Sequence, residues 1–125
     1  MNQTTLPDAN AIAQLLALGQ AALACEQTPI RWQSGDGLPW PTYPQALKDF
    51  FAAAAQPPWS DSHYQPQACS ALIRAEDGIA RADLATLCSL LTWMVRGERF
   101  CDGHWAAMLE QGHLRRWLER LAAFA

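Results

Sequence analysis

The stretch that decides the fold is Asp83-Leu84-Ala85-Thr86-Leu87-Cys88-Ser89-Leu90-Leu91-Thr92-Trp93-Met94-Val95-Arg96-Gly97. Asp83 is a natural N-cap, because its side-chain oxygen can take up a backbone N–H that a helix start leaves without an intrahelical partner. Leu84, Leu87, Cys88, Leu91, Met94 and Val95 then recur at helical spacing and share one face. The run contains no proline, and Gly97 is placed to end it. An apolar helix face has to be buried against other elements, so this stretch predicts a packed helical fold.

Reading outward, Asp102 repeats the capping logic before Gly103-His104-Trp105. The helix that follows turns Trp105, Met108 and Leu109 inward, and Gly112 sits where a left-handed C-terminal residue is expected. The last helix, His113 to about Phe124, carries Leu114, Trp117, Leu118 and Leu121 on one stripe and Arg115, Arg116, Glu119 and Arg120 on the other side. Upstream, a short helical piece fits Ala68 to Ala75, closed by Glu76-Asp77-Gly78. Before it, Pro57-Pro58 ends a helix over Pro44 to Ala55, whose Leu47, Phe50, Phe51 and Ala54 share a face. A loop, Trp59 to Pro66, lies between the two. The first helix runs from Asp8 to about Cys25, with Ile12, Leu15, Leu16 and Leu23 as its buried side.

Gln27 to Pro41 has a different character. Pro29, Gly35, Gly37, Pro39 and Pro41 exclude a helix there; Ile30-Arg31-Trp32 fits a short extended segment, and Ser34-Gly35-Asp36-Gly37 a turn. The expectation is a mainly α protein: one domain over residues 1–125, built as a compact bundle of about five helices with an irregular middle rich in Pro, Gly and Trp.

Bulk properties narrow the function classes. A chain of 125 residues is the length of one domain, and 17% charged residues are too few to keep it expanded and disordered. A formal charge of -3, with Lys48 the single lysine, argues against nucleic-acid binding through bulk electrostatics. The apolar stretch Ala9 to Ala24 follows no basic residue and is interrupted by Gln14, Gly19 and Gln20, so neither a signal peptide nor a membrane span is expected. Cys25, Cys69, Cys88 and Cys101 show no paired short spacing and read as reduced thiols of a cytoplasmic protein.

Leu90-Leu91-Thr92, Arg96, Arg99-Phe100 and Asp102-Gly103, followed by Gly112-His113 and Leu118-Glu119-Arg120-Leu121, form a recognisable series. It resembles the signature L-L-T-x-x-x-R-x-x-R-F-x-[D/E]-G of an uncharacterised family of small bacterial and archaeal proteins, a domain of unknown function. Ala82-Asp83-Leu84-Ala85-Thr86-Leu87 resembles that family's A-D-x-x-T-L stretch. The resemblance covers residues 81–125 well and those before them poorly: only Trp59 and Tyr64 stand for a tryptophan-rich upstream segment. It implies relatives and carries no activity.

Arg96, Glu98, Arg99, Asp102 and His104 bring two guanidiniums, two carboxylates and an imidazole to the turn between two helices. Two arginines beside a helix start suit an anionic ligand. The same groups can instead pair with one another and with helix-end carbonyls, and that structural reading outweighs the first. Phe100 and Trp105 flank them as plugs for the core beneath. Cys101, His104 and His113 fall short of the four ligands, in close pairs, of a structural zinc site. Cys101 sits beside a helix start and Arg99, as a reactive thiol would, yet no oxyanion hole or third orienting residue accompanies it. No catalytic residue, metal or cofactor is therefore assigned. Six tryptophans remain to be placed. Trp32, Trp40 and Trp59, with Tyr64, lie in proline-punctuated stretches, where they serve equally as anchors of a protein interface or as cover for the core. The reading is an intracellular protein-interaction or inhibitory module rather than an enzyme, with a protein partner or a second copy of the chain. The runner-up is a ligand-binding or enzymatic domain for an anionic small molecule at Arg96, Arg99 and His104.

Overall fold

Two aspartates start helices as their positions require. Asp8 accepts from the Ala11 N–H and Asp83 from the Thr86 N–H, each at 2.8 Å. The computed structural model describes residues 6–24, 31–33, 40–99 and 103–125. Within them the chain forms α1 (Ala9–Leu23), β1 (Arg31–Gln33), β2 (Trp40–Thr42), α2 (Gln45–Ala54), α3 (Pro66–Arg74), α4 (Leu84–Gly97), α5 (His104–Glu110) and α6 (His113–Ala122). The fold is mainly helical, as the periodicity predicts. Among the described residues no helix is long and apolar enough to cross a membrane.

The extended piece expected at Ile30-Trp32 is found one residue later, at Arg31–Gln33; Ile30 lies outside the described residues. It pairs antiparallel with β2, a strand the proline-based reading missed, in the register Arg31↔Thr42, Trp32↔Pro41, Gln33↔Trp40. A two-stranded ribbon consists only of edges, which is where a strand tolerates a proline such as Pro41. The turn expected at Ser34 to Gly37 lies outside the described residues, as does Cys25 at the expected end of the first helix.

α4 is the central element and packs on α2, α3, α5 and α6. Being covered on several sides, it buries a wider arc than a one-faced helix: Leu87, Cys88, Leu90, Leu91, Thr92 and Met94 are buried, while Leu84 and Val95 are only half-buried. Thr92 is tolerated there because its hydroxyl donates to the Cys88 carbonyl and accepts from the Asp61 N–H, both at 2.9 Å. On α1 the buried line is Ile12, Leu15, Gly19 and Ala22, and the expected Leu16 and Leu23 are half-buried. The reason is the crossing with α6: a Cβ at Gly19 would collide with the Leu118 side chain, so only a small residue fits.

Leu47, Phe50, Phe51 and Ala54 of α2 are buried as their spacing predicts, and so is the α6 stripe Leu114, Trp117, Leu118 and Leu121. The Trp117 indole N–H donates to the Leu87 carbonyl at 2.9 Å, which satisfies the one polar atom of a fully buried ring. Trp59, offered above as an interface anchor, is 4% exposed, with its ring 6.0 Å edge-on to Trp117. It belongs to the core. Gly112 adopts the expected left-handed conformation, at φ 79°, between α5 and α6.

Candidate functional site

At the turn from α4 into α5, one residue of the sequence-predicted cluster, Glu98, is held by Tyr43, a residue outside that cluster. Glu98 is the residue after α4. Its carboxylate accepts from the Gly103 N–H at 3.0 Å and from the Trp105 N–H at 2.9 Å, the donors at the start of α5. The Tyr43 hydroxyl lies 2.9 and 3.0 Å from the two oxygens of the same carboxylate. That hydroxyl in turn accepts from the Ala106 N–H at 3.4 Å. Glu98 thus occupies the position that an anionic ligand would take against these donors. Asp102, expected as the cap, lies outside the described residues together with Phe100 and Cys101. The helix is entered through Gly103, at φ 93°, a backbone conformation that glycine adopts without steric cost.

The other candidates separate. Arg96 lies over the Tyr64 ring, its guanidinium carbon 5.1 Å from the centroid, a cation–π contact between α4 and the loop before α3. Arg99 is exposed. His104 packs edge-on against Trp93 at 4.8 Å and against the backbone of Gly97 so closely that a Cβ there would collide with the ring. Its Nε2 is buried without a hydrogen-bond partner among the described residues. Burial pushes the His104 pKa down, against an opposing pull from Glu98, so the neutral ring is favoured. Arg96, Arg99 and His104 therefore do not converge on one pocket.

Trp105 is half-buried as a plug: its ring stacks on Phe51 at 4.5 Å, lies 5.3 Å from Tyr43, and its N–H donates to the Val95 carbonyl at 3.2 Å. Tyr43 is the residue of this site that periodicity overlooked. It sits between a strand and a helix, where neither pattern marks it, and its partner Glu98 is 55 residues away. Only its place directly ahead of the helix-starting Pro44 was visible.

A second polar cluster ties the loop before α3 to α4. The Asp61 carboxylate accepts from the Ser89 hydroxyl and from the His63 N–H, and Cys69 Sγ lies 3.6 Å from the Ser89 carbonyl. Burial, with Asp61 adding, raises the Cys69 pKa and pushes that of Cys88 up to about 11. Both are free thiols, and they are of the inert, buried kind. Among the described residues no group of three His, Cys, Asp or Glu side chains is placed to hold a metal ion.

The backbones of Trp32 and Trp40 lie in the hairpin, and their side chains lie outside the described part of the structure. β2 ends at Thr42, directly before Tyr43, so the hairpin joins the core through the residue bonded to Glu98.

The chain belongs to a family described as a family of unknown function (DUF6508), whose profile matches residues 10–125. The family relationship therefore reaches far upstream of the C-terminal residues that carry the resemblance read from sequence. No curated protein and no solved structure matches the chain.

Proposed function

We propose that this protein is a non-catalytic interaction module that recognises a protein partner, or a second copy of itself, through the hairpin carrying Trp32 and Trp40. The observation that supports this reading is the Tyr43–Glu98 hydrogen bond. It spends the most ligand-like carboxylate on structure, and it fixes the base of the hairpin to the α4–α5 turn. A recognition loop held at its base loses less conformational freedom on binding, which favours affinity. Trp59 is committed to the core and Tyr64 to Arg96, so the partner surface narrows to Trp32 and Trp40. We read the protein as intracellular, since two cysteines are free and buried. We further read the stretch from Leu90 to Gly103 as the family's own signature, and the family as one of bacteria and archaea. Inhibition of a larger machine is one form such recognition takes.

The test is native mass spectrometry of the full chain purified from producing cells, beside Trp32→Ser/Trp40→Ser and Arg99→Ala variants. The expected result is a stoichiometric complex, retained by Arg99→Ala and lost by the double variant. A wild-type chain that is monomeric and partnerless, or a double variant that keeps its complex, overturns the reading.

A further inference from the structure

An open groove of about 700 Å³ lies between α6, the end of α3 and the segment that follows α3. That volume is within the range of about 300–1,000 Å³ usual for small-molecule sites. Its apolar floor includes Ile73 and Ile79, both buried. Arg74, Arg116 and Arg120 line it, and so do Glu76 and Glu119.

Arg116 and Arg120 are held in place by neutral groups. Arg120 Nε donates to the Ala82 carbonyl at 2.8 Å, and its guanidinium carbon lies 4.9 Å over the Phe124 ring. Arg116 Nη2 donates to the Gln111 carbonyl at 3.2 Å and to His113 Nδ1 at 2.6 Å. Since a guanidinium can only donate, Nδ1 is the acceptor, which places the proton of the neutral ring on Nε2, 3.1 Å from Gln111 Oε1. Arg74 is exposed in the last turn of α3 and has no side-chain partner among the described residues. The ion pair formed among the described residues is Arg81 with Asp77, at 3.7 Å, outside the groove. Neutral acceptors fix a guanidinium and leave its charge and its remaining N–H groups available to a ligand oxyanion.

We propose that this groove binds a small organic anion, with a carboxylate or phosphate head held by Arg74, Arg116 and Arg120 and an apolar body laid over Ile73 and Ile79. Three guanidiniums against two carboxylates leave one net positive charge, which matches a single-headed anion and disfavours a polyanion. His113, Arg116 and Arg120 recur along α6 at steps of three and four, so one helix face supplies most of the head-binding groups. The site is independent of the hairpin and of the Glu98 turn.

The experiment is a two-dimensional amide NMR titration of the full chain with phenylacetate, phenyl phosphate, inorganic phosphate and benzyl alcohol. Phenylacetate and phenyl phosphate are expected to give saturable shifts confined to the end of α3 and to α6, with inorganic phosphate weaker and benzyl alcohol silent. Arg74→Glu, at an exposed and unpartnered position, is expected to weaken both aromatic anions by about tenfold or more while leaving the remaining spectrum intact. Arg116→Gln is expected to weaken them as well. Saturable shifts absent up to about 10 mM of either aromatic anion overturn the proposal. So do affinities unchanged in Arg74→Glu, benzyl alcohol binding as well as phenylacetate, or inorganic phosphate binding as well as phenyl phosphate.

Discussion

The Tyr43 hydroxyl and the Glu98 carboxylate meet at 2.9 Å across 55 residues of chain, and this contact fixes the strand-to-helix corner against the start of α5. Removing the carboxylate leaves the Gly103 and Trp105 N–H groups and the tyrosine hydroxyl without their acceptor in a half-buried place. Hydrogen bonds to a charged group contribute about 1.5–3 kcal/mol each and do not add. Glu98→Ala is therefore expected to cost about 2–4 kcal/mol, and Tyr43→Phe, which removes one bond to the carboxylate, about 1.5–2 kcal/mol. Chemical denaturation of the two single variants and the double variant measures both costs. Because the residues share one network, the double variant should lose less than the sum of the two; strict additivity would mean that the bond contributes nothing.

Gly97 and His104 compete for one space. An exposed glycine replaced by alanine within a helix gains about 1 kcal/mol from propensity. Here the added methyl would drive into the imidazole, and overpacking of that kind costs about 1–3 kcal/mol. The steric term wins, so Gly97→Ala should lower the melting temperature. In a His104→Ala background the obstacle is gone, and the same substitution should become neutral or stabilising. A Gly97→Ala loss that is unchanged in that background would disprove the account.

These two contacts also mark what the sequence made legible. Asp83 as a cap, the α2 face Leu47-Phe50-Phe51-Ala54 and the left-handed Gly112 follow from local rules, and the structure contains all three. For Trp59 the sequence left interface anchor and core cover equally open, and burial against Trp117 decides for the core, beside the loop residue Asp61 that is tied to Ser89 and Thr92 on α4. Tyr43 was invisible because its partner is distant in sequence. Two of the groove arginines, Arg116 and Arg120, were visible on one side of α6, yet the third, Arg74, and the apolar floor of Ile73 and Ile79 come from another part of the chain. Local patterning finds elements and caps. A site assembled from several elements needs their packing.

Acid should weaken the fold before its carboxylates titrate. Burial, the Arg116 charge and His104 together hold the His113 pKa below the ordinary imidazole value, and burial does the same for His104. The unfolded chain therefore takes up protons at about pH 6.5, where the folded chain still resists them. Stability is full above that pH, declines as pH falls through it, and levels off once the lower folded values are passed. Thermal melts between about pH 7.5 and 5.5 should show a falling melting temperature, with a shallower slope in His113→Gln. A flat or rising wild-type profile would contradict the assignment.

Trp117 is the ring on which Phe50 and Trp59 converge edge-on, at 6.4 and 6.0 Å. Replacing it with phenylalanine removes volume from a fully buried position and strips the Leu87 carbonyl of its donor. The two losses together should cost about 2–4 kcal/mol. Trp59→Phe removes area alone, since its indole N–H has no acceptor among the described residues, and should cost less. Urea midpoints that rank the two variants the other way would show that the indole hydrogen bond is dispensable.

The Cys88 thiol supplies the last measurement. With a pKa of about 11, far less than one per cent of it is thiolate at pH 8, against roughly a quarter of an ordinary thiol with a pKa near 8.5. Only the thiolate is alkylated, so Cys88 in the folded chain should react with iodoacetamide about two-hundredfold more slowly than a free thiol, before any steric protection is counted. Cys69, raised in the same direction by burial, should also lag. Peptide mapping after brief alkylation at pH 8 should find both residues unlabelled in the native protein and labelled once urea unfolds it. Rapid native labelling of Cys88 would mean that the α4 core opens far more readily than the packing of Leu87, Leu90 and Leu91 around it implies.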